Sequence, residues 1–168
     1  SGWLKFGYHT IEPTTSFDKE TSLAAFKTSF SKVKDAIGRF AGEASFSNVL
    51  RLNYFRGDDD KVAFLASQGI TALLCADDDR ASYNLPETQN LLLQKNDYIV
   101  YQDMKYFKTD LRLDRIRFIT YELLQLRDQE TVVIFAHEWA LVDIGFDRIE
   151  SAVKWLVRNG YAFSYLED

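Results

Sequence analysis

Residues 69–76, with the sequence GITALLCA, decide the fold class of this chain. From Ile70 onward nearly every side chain is apolar, which is typical of a strand buried on both faces of a parallel sheet. Residues 58–67 are predicted to form a short helix, and Gly69 marks the turn from that helix to the strand. A helix that leads directly into a doubly buried strand indicates an α/β protein.

Upstream of this stretch, the alternation of strand and helix is repeated. Residues 3–9 and 48–55 are predicted strands, because their aromatic and aliphatic side chains suit a half-buried pleat. Between them an apolar stripe recurs at steps of three and four, which predicts a long helix that ends at Gly42. The stripe consists of Leu23, Phe26, Phe30, Val33, Ile37 and Phe40.

Downstream, the alternation continues after a polar excursion at residues 77–96. The predicted elements are a strand at residues 98–108, a helix at 113–126, a buried strand at 131–136, a helix at 146–157 and a final strand at 161–166. Right-handed crossovers leave two main topologies, an open doubly wound sheet or a barrel. Because no glycine-rich phosphate loop follows any predicted strand, we expect the barrel.

The expected architecture is a single domain over residues 1–168, an incomplete or distorted (β/α) barrel of mostly parallel strands with outer helices. A chain of 168 residues is long enough for one domain with a substantial core. Its net charge of −5 and its scattered basic residues argue against a nucleic-acid partner. No apolar run has the length of a membrane span. The single cysteine, Cys75, excludes an intrachain disulfide, and its apolar neighbours predict that it is buried.

Polar side chains follow the predicted strands at the positions where functional residues gather in parallel α/β folds. His9, at the end of the first strand, is either a metal ligand together with Glu12 or a hydrogen-bonded structural residue. Arg51 interrupts an apolar strand, so it either forms an internal salt bridge or orients a catalytic carboxylate. The acidic run that begins at Asp77 either binds a cation or a sugar, or is a solvated loop.

The apolar strand at residues 131–136 is followed by His137, Glu138 and Trp139. Imidazole suits acid or base catalysis near neutral pH, so His137 is the leading catalytic candidate. Trp139 either offers a face on which a sugar ring can stack or belongs to the core. Both histidines of the chain, His9 and His137, lie at predicted carboxyl ends of strands, which favours a shared site.

In the order of these motifs the chain resembles the polysaccharide deacetylase family, the carbohydrate esterase family four, over residues 7–139. Members of that family remove acetyl groups from N-acetylated sugars, using a distorted barrel and a divalent metal, usually zinc. His9-Thr10 matches the start of the family motif H-[ST]-x-x-H-P. Arg51, followed by Tyr54, matches the motif R-x-P-Y-G, and the apolar strand that ends at His137 matches the last motif.

The resemblance implies a role for each matching residue. His9 would be a metal ligand, Arg51 would position a catalytic aspartate, and Tyr54 would line the acetyl site, with backbone donors near it holding the oxyanion. His137 would be the general acid that protonates the leaving amine. Asp77 belongs to an acidic stretch that follows the middle strand in several members, and we expect it to contact the substrate.

The chain departs from the family at its front. The position of the second histidine holds Pro13, for which Glu12 is the candidate substitute ligand, and no strand that ends in an Asp-Asp pair precedes residue 3. We therefore expect a barrel truncated at its N-terminal side. Its exposed edge strand would pair with a missing N-terminal segment or with a second copy in a homodimer.

Two other functions remain open for these residues. One is a catalytically inactive barrel that binds carbohydrate or another partner, and this function would need no metal. The other is a glycosidase-like hydrolase with paired carboxylates, Glu138 with Asp77 or Asp79. The separation of the two carboxylates would distinguish it.

Overall fold

The computed structural model describes residues 4–12, 17 and 21–166, in which helices alternate with short strands. The helices are α1 (Leu23–Ala41), α2 (Asp59–Ser67), α3 (Glu87–Lys95), α4 (Ile119–Leu124), α5 (Leu141–Ile144) and α6 (Asp147–Arg158). The strands are β1 (Val49–Leu50), β2 (Ala72–Leu74), β3 (Tyr98–Tyr101), β4 (Met104–Phe107), β5 (Leu111–Arg112) and β6 (Ile134–Phe135). Short 3₁₀ turns cover Glu43–Ser45, Asn53–Phe55 and Glu138–Ala140. The side chains of Glu138, Asp143 and Ile144 lie outside the described part.

Two small sheets contain the described strands. The larger has the order β1-β2-β4-β3, in which β1, β2 and β4 run parallel and β3 is antiparallel to β4. The smaller is the parallel pair β5-β6. Phe6 and Phe46 form one further parallel bridge. Mostly parallel strands separated by helices make the chain an α/β protein, as the sequence predicted.

The two sheets are linked by the short segment between β4 and β5. The hydroxyl of Thr109 donates a hydrogen bond of 2.5 Å to the carbonyl of Cys75. The backbone N–H of Asp110 donates to the carbonyl of Val133 at 2.9 Å. Within the described ranges β6 pairs with β5 alone, so these strands do not close into a barrel.

The helices with the strongest sequence signals form as predicted. Helix α1 begins at Leu23, because the side chain of Ser22 accepts a hydrogen bond from the third residue beyond it, and it ends at Gly42, where φ is +88°. Helix α2 begins after Asp58, which caps it in the same way. Helix α6 also forms within one residue of the range 146–157 that its apolar pattern predicted. None of the helices among the described residues is long and apolar enough to span a membrane.

Most predicted strands are longer than the strands in the structure. In place of a strand over residues 3–9, Phe6 alone forms a bridge, and residue 3 lies outside the described part. The predicted strand at 48–55 is reduced to β1, which ends at Leu50, and its far end cannot be a strand because Tyr54 and Phe55 are left-handed, with φ of 55° and 56°. Left-handed backbone is incompatible with a strand.

The middle of the chain differs from the prediction in two ways. The polar excursion contains helix α3, which the apolar pattern missed because Leu93 is its only fully buried residue. The predicted strand at residues 98–108 is a hairpin of β3 and β4. Its two central residues, Gln102 and Asp103, have φ of 49° and 60°, as a tight two-residue hairpin turn requires.

The elements after residue 110 also differ from the prediction. The helix at 113–126 is reduced to α4, preceded by the unpredicted strand β5. The strand at 131–136 is reduced to β6, which is half-buried because it has one described strand neighbour. Residues 161–165 form no strand. The hydroxyl of Tyr161 instead donates to the carbonyls of Leu126 and Gln129, each at 2.7 Å.

The core consists of two separate hydrophobic clusters. The larger belongs to the N-terminal region, which we define as β1–β4 with α1–α3, and it is rich in aromatic rings. The smaller belongs to the C-terminal region, defined as β5 and β6 with α4–α6, where only Leu111, Leu113, Leu123, Leu126 and Ala152 form its buried part. Cys75 is buried as predicted, and burial raises the pKa of its thiol to about 12.

Candidate functional site

The candidate site lies where the carboxyl ends of strands from both regions meet. Arg51 follows β1, Asp77 comes shortly after β2, and His137 comes shortly after β6. The guanidinium of Arg51 stands 5.0 Å from the ring centre of Phe135 in β6, so the two regions touch at this edge. A second contact joins Asp77 to Arg115, whose charged atoms are 3.9 Å apart.

The imidazole of His137 is held by Asp114, which lies two residues beyond β5. Nδ1 of the ring is 3.1 Å from Oδ2 of the carboxylate, and the backbone N–H of His137 donates to Oδ1 at 3.3 Å. The carboxylate also accepts from Nε of Arg112 at 2.7 Å. The three side chains therefore form a continuous chain of hydrogen bonds from arginine through aspartate to histidine.

Asp114 is ionised throughout the neutral range. Its burial opposes ionisation, but the hydrogen bonds from Arg112 and His137 outweigh that effect and lower its pKa to about 2. An ionised carboxylate can only accept hydrogen bonds, so Nδ1 of His137 carries the proton in this contact. The nitrogen that remains to exchange a proton with a substrate is Nε2.

Aromatic rings enclose the imidazole of His137 on two sides. The ring of Phe135 meets it edge-on, with 5.3 Å between the ring centres and an interplanar angle of 75°. The indole of Trp139 stacks on it, at 5.1 Å and 28°. Trp139 is 61% exposed, so the structure places it at the rim and not in the core. These contacts restrict the orientation of the imidazole further.

Arg51 and Arg112 both lie against Phe135. Their guanidinium carbons are 5.0 and 5.6 Å from the ring centre, within the range of cation–π attraction. Arg51 also stands 5.4 Å from the ring of Phe55. Packing of Arg51 between two rings gives this arginine a fixed place beside the histidine site.

His9 lies close to the backbone of Arg51. Its Nδ1 is within hydrogen-bond reach of the carbonyl of Arg51. The side chain of Glu12 is exposed, and the hydroxyl of Thr10 donates to its carbonyl at 2.8 Å. Among the described residues, no group of three or more histidine, cysteine, aspartate or glutamate side chains is arranged to hold a metal ion.

The other predicted site residues are Tyr54, the acidic run that begins at Asp77, and Glu138. Tyr54 is half-exposed on the left-handed turn that follows Arg51. The residues of the acidic run have different partners: Asp77 faces Arg115, and Asp78 pairs with Arg80 at 2.5 Å. The carboxylate of Glu138, offered as part of a glycosidase pair, lies outside the described side chains.

Sequence reasoning missed Asp114 and Arg112, which complete the site. Both lie in the sequence Leu111-Arg112-Leu113-Asp114, where apolar and charged residues alternate. Such alternation is the signal of a half-buried strand. It was overlooked because the helical pattern assigned to residues 113–126 begins within it.

A scan against protein-family models found no matching family, and searches of curated proteins and of solved structures found no significant match.

Proposed function

We propose that this chain is a hydrolase similar to polysaccharide deacetylases, which removes acetyl groups from N-acetylated sugars, with His137 as the general acid. The observation that carries the proposal is the hydrogen-bonded chain Arg112–Asp114–His137 at the carboxyl end of β6. A histidine whose one nitrogen is held by a buried carboxylate is arranged to give a proton from the other.

Proton donation is the step that this chain's own residues support best. Cleavage of an amide requires a proton on the departing amine, and Nε2 of His137 supplies it. Asp114 stabilises the positively charged imidazolium before the transfer and keeps the ring oriented. Because Arg112 holds the carboxylate ionised, Asp114 itself does not take up the proton.

Binding of the acetyl group is assigned to the turn at Tyr54. Two consecutive non-glycine residues, Tyr54 and Phe55, have positive φ there. Strained backbone of this kind concentrates at functional sites. The turn begins two residues after Arg51, and the guanidinium of Arg51 lies against Phe135 beside His137. Tyr54 would line the acetyl pocket, and Arg51 would orient a carboxylate that acts as the base. Asp77, at the same edge, would contact the substrate.

An incomplete or distorted barrel is the architecture we propose for this hydrolase. The parallel order of β1, β2 and β4 and the parallel pair β5-β6 are consistent with it. The ammonium of Lys5 lies 5.7 Å from the ring centre of Tyr165, so the segments near the two ends of the described chain lie close to each other. The remaining edge of β6 is the place for a further N-terminal strand or for a second copy of the chain.

The described residues do not by themselves fit a divalent metal site. Structural and catalytic zinc sites use three or four protein ligands. His9 has its Nδ1 at the carbonyl of Arg51, and Glu12 points to solvent, so a zinc ion at His9 requires further ligands from outside the described residues. We therefore derive no step of the reaction through a metal, and His9 stays the proposed ligand.

The test is release of acetate from N-acetylglucosamine oligomers, measured with and without added zinc. We expect His137→Gln to lower the rate by a factor on the order of 10² to 10⁴, which is the usual contribution of a general acid, with unchanged thermal unfolding. Metal content is measured on the same samples. Zinc should be lost in His9→Ala and retained in His137→Gln.

Full activity of His137→Gln would contradict the role of this histidine. If the wild-type chain binds the oligomers but releases no acetate at any zinc concentration, the deacetylase proposal fails. In that case the inactive carbohydrate-binding function is the correct one. That alternative is favoured by Pro13, which stands where the family motif has its second histidine.

A further inference from the structure

Helix α6 carries an apolar stripe that is open to solvent. Phe146, which caps the helix, and Val153 and Val157 within it follow one another at steps of seven and four residues, so they lie along one side. Their exposed fractions are 68%, 40% and 57%. We call these three side chains the α6 stripe. The core of the C-terminal region uses a different side of the helix, where Ala152 and Leu156 are buried.

The charged residues beside the α6 stripe are separated by sign along the helix. Asp147 and Glu150 stand in its first half, and Lys154 and Arg158 stand in its second half. All four are exposed, and their steps of three and four residues place them along one flank of the stripe. Arg148, the basic residue of the first half, is turned inward, and its guanidinium donates to a backbone carbonyl at 2.9 Å. The exposed flank therefore changes from acidic to basic along the helix.

Two copies of α6 that pack antiparallel bring the apolar side chains of the stripe together. A two-fold axis near Ala152 places Phe146 of one copy beside Val157 of the other, because these residues lie six and five positions from Ala152 on opposite sides. Val153 then lies close to its own counterpart. The symmetry makes the contact between Phe146 and Val157 twice, once at each end of the helix pair.

The same register brings opposite charges together. Glu150 and Lys154 each lie two positions from Ala152, so the acidic half of one copy faces the basic half of the other. Within one chain these two side chains form an exposed ion pair at 2.5 Å, from which either can turn to the neighbouring copy without being buried. A parallel arrangement would instead place acid against acid and base against base, which is unfavourable. The surface of α6 is thus complementary to itself in the antiparallel orientation alone.

We infer that the α6 stripe and its charged flank bind a second copy of this chain, as an antiparallel helix pair about a two-fold axis. The inference does not depend on the proposed function, and a copy that docks here leaves the edge of β6 to a further strand. Phe163 lines the same apolar pocket as Val153 and is exposed, so the apolar surface continues beyond the helix. A contact centred on one helix is smaller than a standard interface. We therefore expect a weak dimer, with a dissociation constant on the order of 10⁻⁵ M.

Sedimentation equilibrium of the whole chain, at concentrations from about 1 to about 500 µM, spans the expected dissociation constant. We expect the wild type to change from monomer to dimer over this range. Val157→Asn removes an apolar contact that the dimer makes twice, so it should weaken association about tenfold or more. The matched control is Val100→Asn in β3, where the valine is similarly exposed at 60%, and it should leave association unchanged.

Reversal of single charges tests the register of the helix pair. Glu150→Lys and Lys154→Glu each place like charges opposite one another, so each variant should weaken association about tenfold. An equimolar mixture of the two variants should recover the dimer, because every contact between positions 150 and 154 then joins opposite charges. Lys32→Glu, the same reversal at an exposed position of α1, is the control and should associate like the wild type.

A wild-type chain that stays monomeric throughout this range would overturn the inference. So would a dimer that Val157→Asn and the charge reversals do not weaken, because its contact would then lie elsewhere, as at the edge of β6. A mixture that does not recover the dimer contradicts the antiparallel register. Thermal unfolding checks that each variant is folded. Because only folded chains associate, the unfolding temperature of the wild type should rise with protein concentration, and that of Lys154→Glu should rise less.

Discussion

The N-terminal and C-terminal regions are built from the same kinds of elements but are packed very differently. In the N-terminal region Phe30 is completely buried and meets Tyr8, Phe46 and Phe64 edge-on, with ring centres 5.4 to 5.7 Å apart. In the C-terminal region β6 is only half-buried. An apolar pocket of about 210 Å³ remains there between the strand and helix α6.

The two regions therefore contribute differently: the N-terminal region holds most of the core, and the C-terminal region carries most of the candidate site. The well-packed aromatic cluster of the N-terminal region supplies most of the buried apolar surface. The loosely packed C-terminal region carries the histidine, the aspartate and the indole of the candidate site. Arg51 connects the two, since it extends from the first region to Phe135 in the second. Functional residues commonly lie on such less stable elements, supported by a rigid neighbour.

The largest effect should come from the aromatic cluster. We expect Phe30→Ala to lower the free energy of unfolding by about 3 to 5 kcal/mol, because it removes a buried ring and leaves a cavity. The equivalent change in the C-terminal core, Leu123→Ala, should cost only about 2 kcal/mol, since the looser surroundings can collapse. Denaturant unfolding measures both variants. Equal losses would show that the two regions do not differ in packing.

A loss of stability of intermediate size is expected from removing the carboxylate of Asp114, which pairs with Arg112. Because the folded protein lowers the pKa of Asp114 to about 2, below the ordinary value of about 3.9, the carboxylate stabilises the fold above about pH 4. This contribution, about 1 to 2 kcal/mol, is lost as the pH falls towards 2. Unfolding free energies measured at pH 5 and at pH 2 should therefore differ less in Asp114→Asn than in the wild type.

The variant Arg112→Gln is the control for this prediction. It removes the first of the two partners that lower the pKa of Asp114, so it should reduce the same pH dependence in part. If acid destabilises Asp114→Asn as much as the wild type, the carboxylate does not stabilise the C-terminal region and the comparison must be revised.

The smallest effect should come from filling the pocket beside α6. Ala152 is buried in the pocket wall, and Ala152→Leu should raise the free energy of unfolding by about 0.5 to 1 kcal/mol, because the new side chain occupies empty apolar space. The matched substitution in the N-terminal region is Ala72→Leu, at a fully buried position in β2. It should instead cost about 1 to 3 kcal/mol through overpacking. Thermal unfolding compares the two, and a loss of stability in Ala152→Leu would mean that the pocket is not free to be filled.

Local patterns predicted the helices better than the strands. Helix α1 has an apolar stripe over its length, a capping serine and a terminal glycine, so its limits could be placed to within a residue or two. The strands at 48–55 and 131–136 were predicted too long, because apolar composition does not show how many neighbouring strands are available for pairing. Helix α3 was missed since it buries little surface.

The sequence predicted only part of the candidate site, because local patterns do not show which distant residues meet. His137 and Arg51 follow apolar runs, so their places just beyond β6 and β1 could be inferred from the sequence, whereas the strand predicted before His9 is only a bridge at Phe6. Asp114 could not be joined to His137, because the two are 23 residues apart and meet only through the pairing of β5 with β6. The acidic run at Asp77 was a candidate because of its composition. In the structure Asp77 faces Arg115 and Asp78 pairs with Arg80.

The sequence by itself determined the α/β class, the burial of Cys75 and the positions of the two histidines, because these follow from apolar periodicity and from the order of residues along the chain. Only the tertiary structure decided which carboxylate holds His137 and that Trp139 stacks on the imidazole at the exposed rim. It also decided how closely Arg51 approaches Phe135. Contacts between residues distant in the chain depend on strand register and side-chain packing, and neither is encoded in any local pattern.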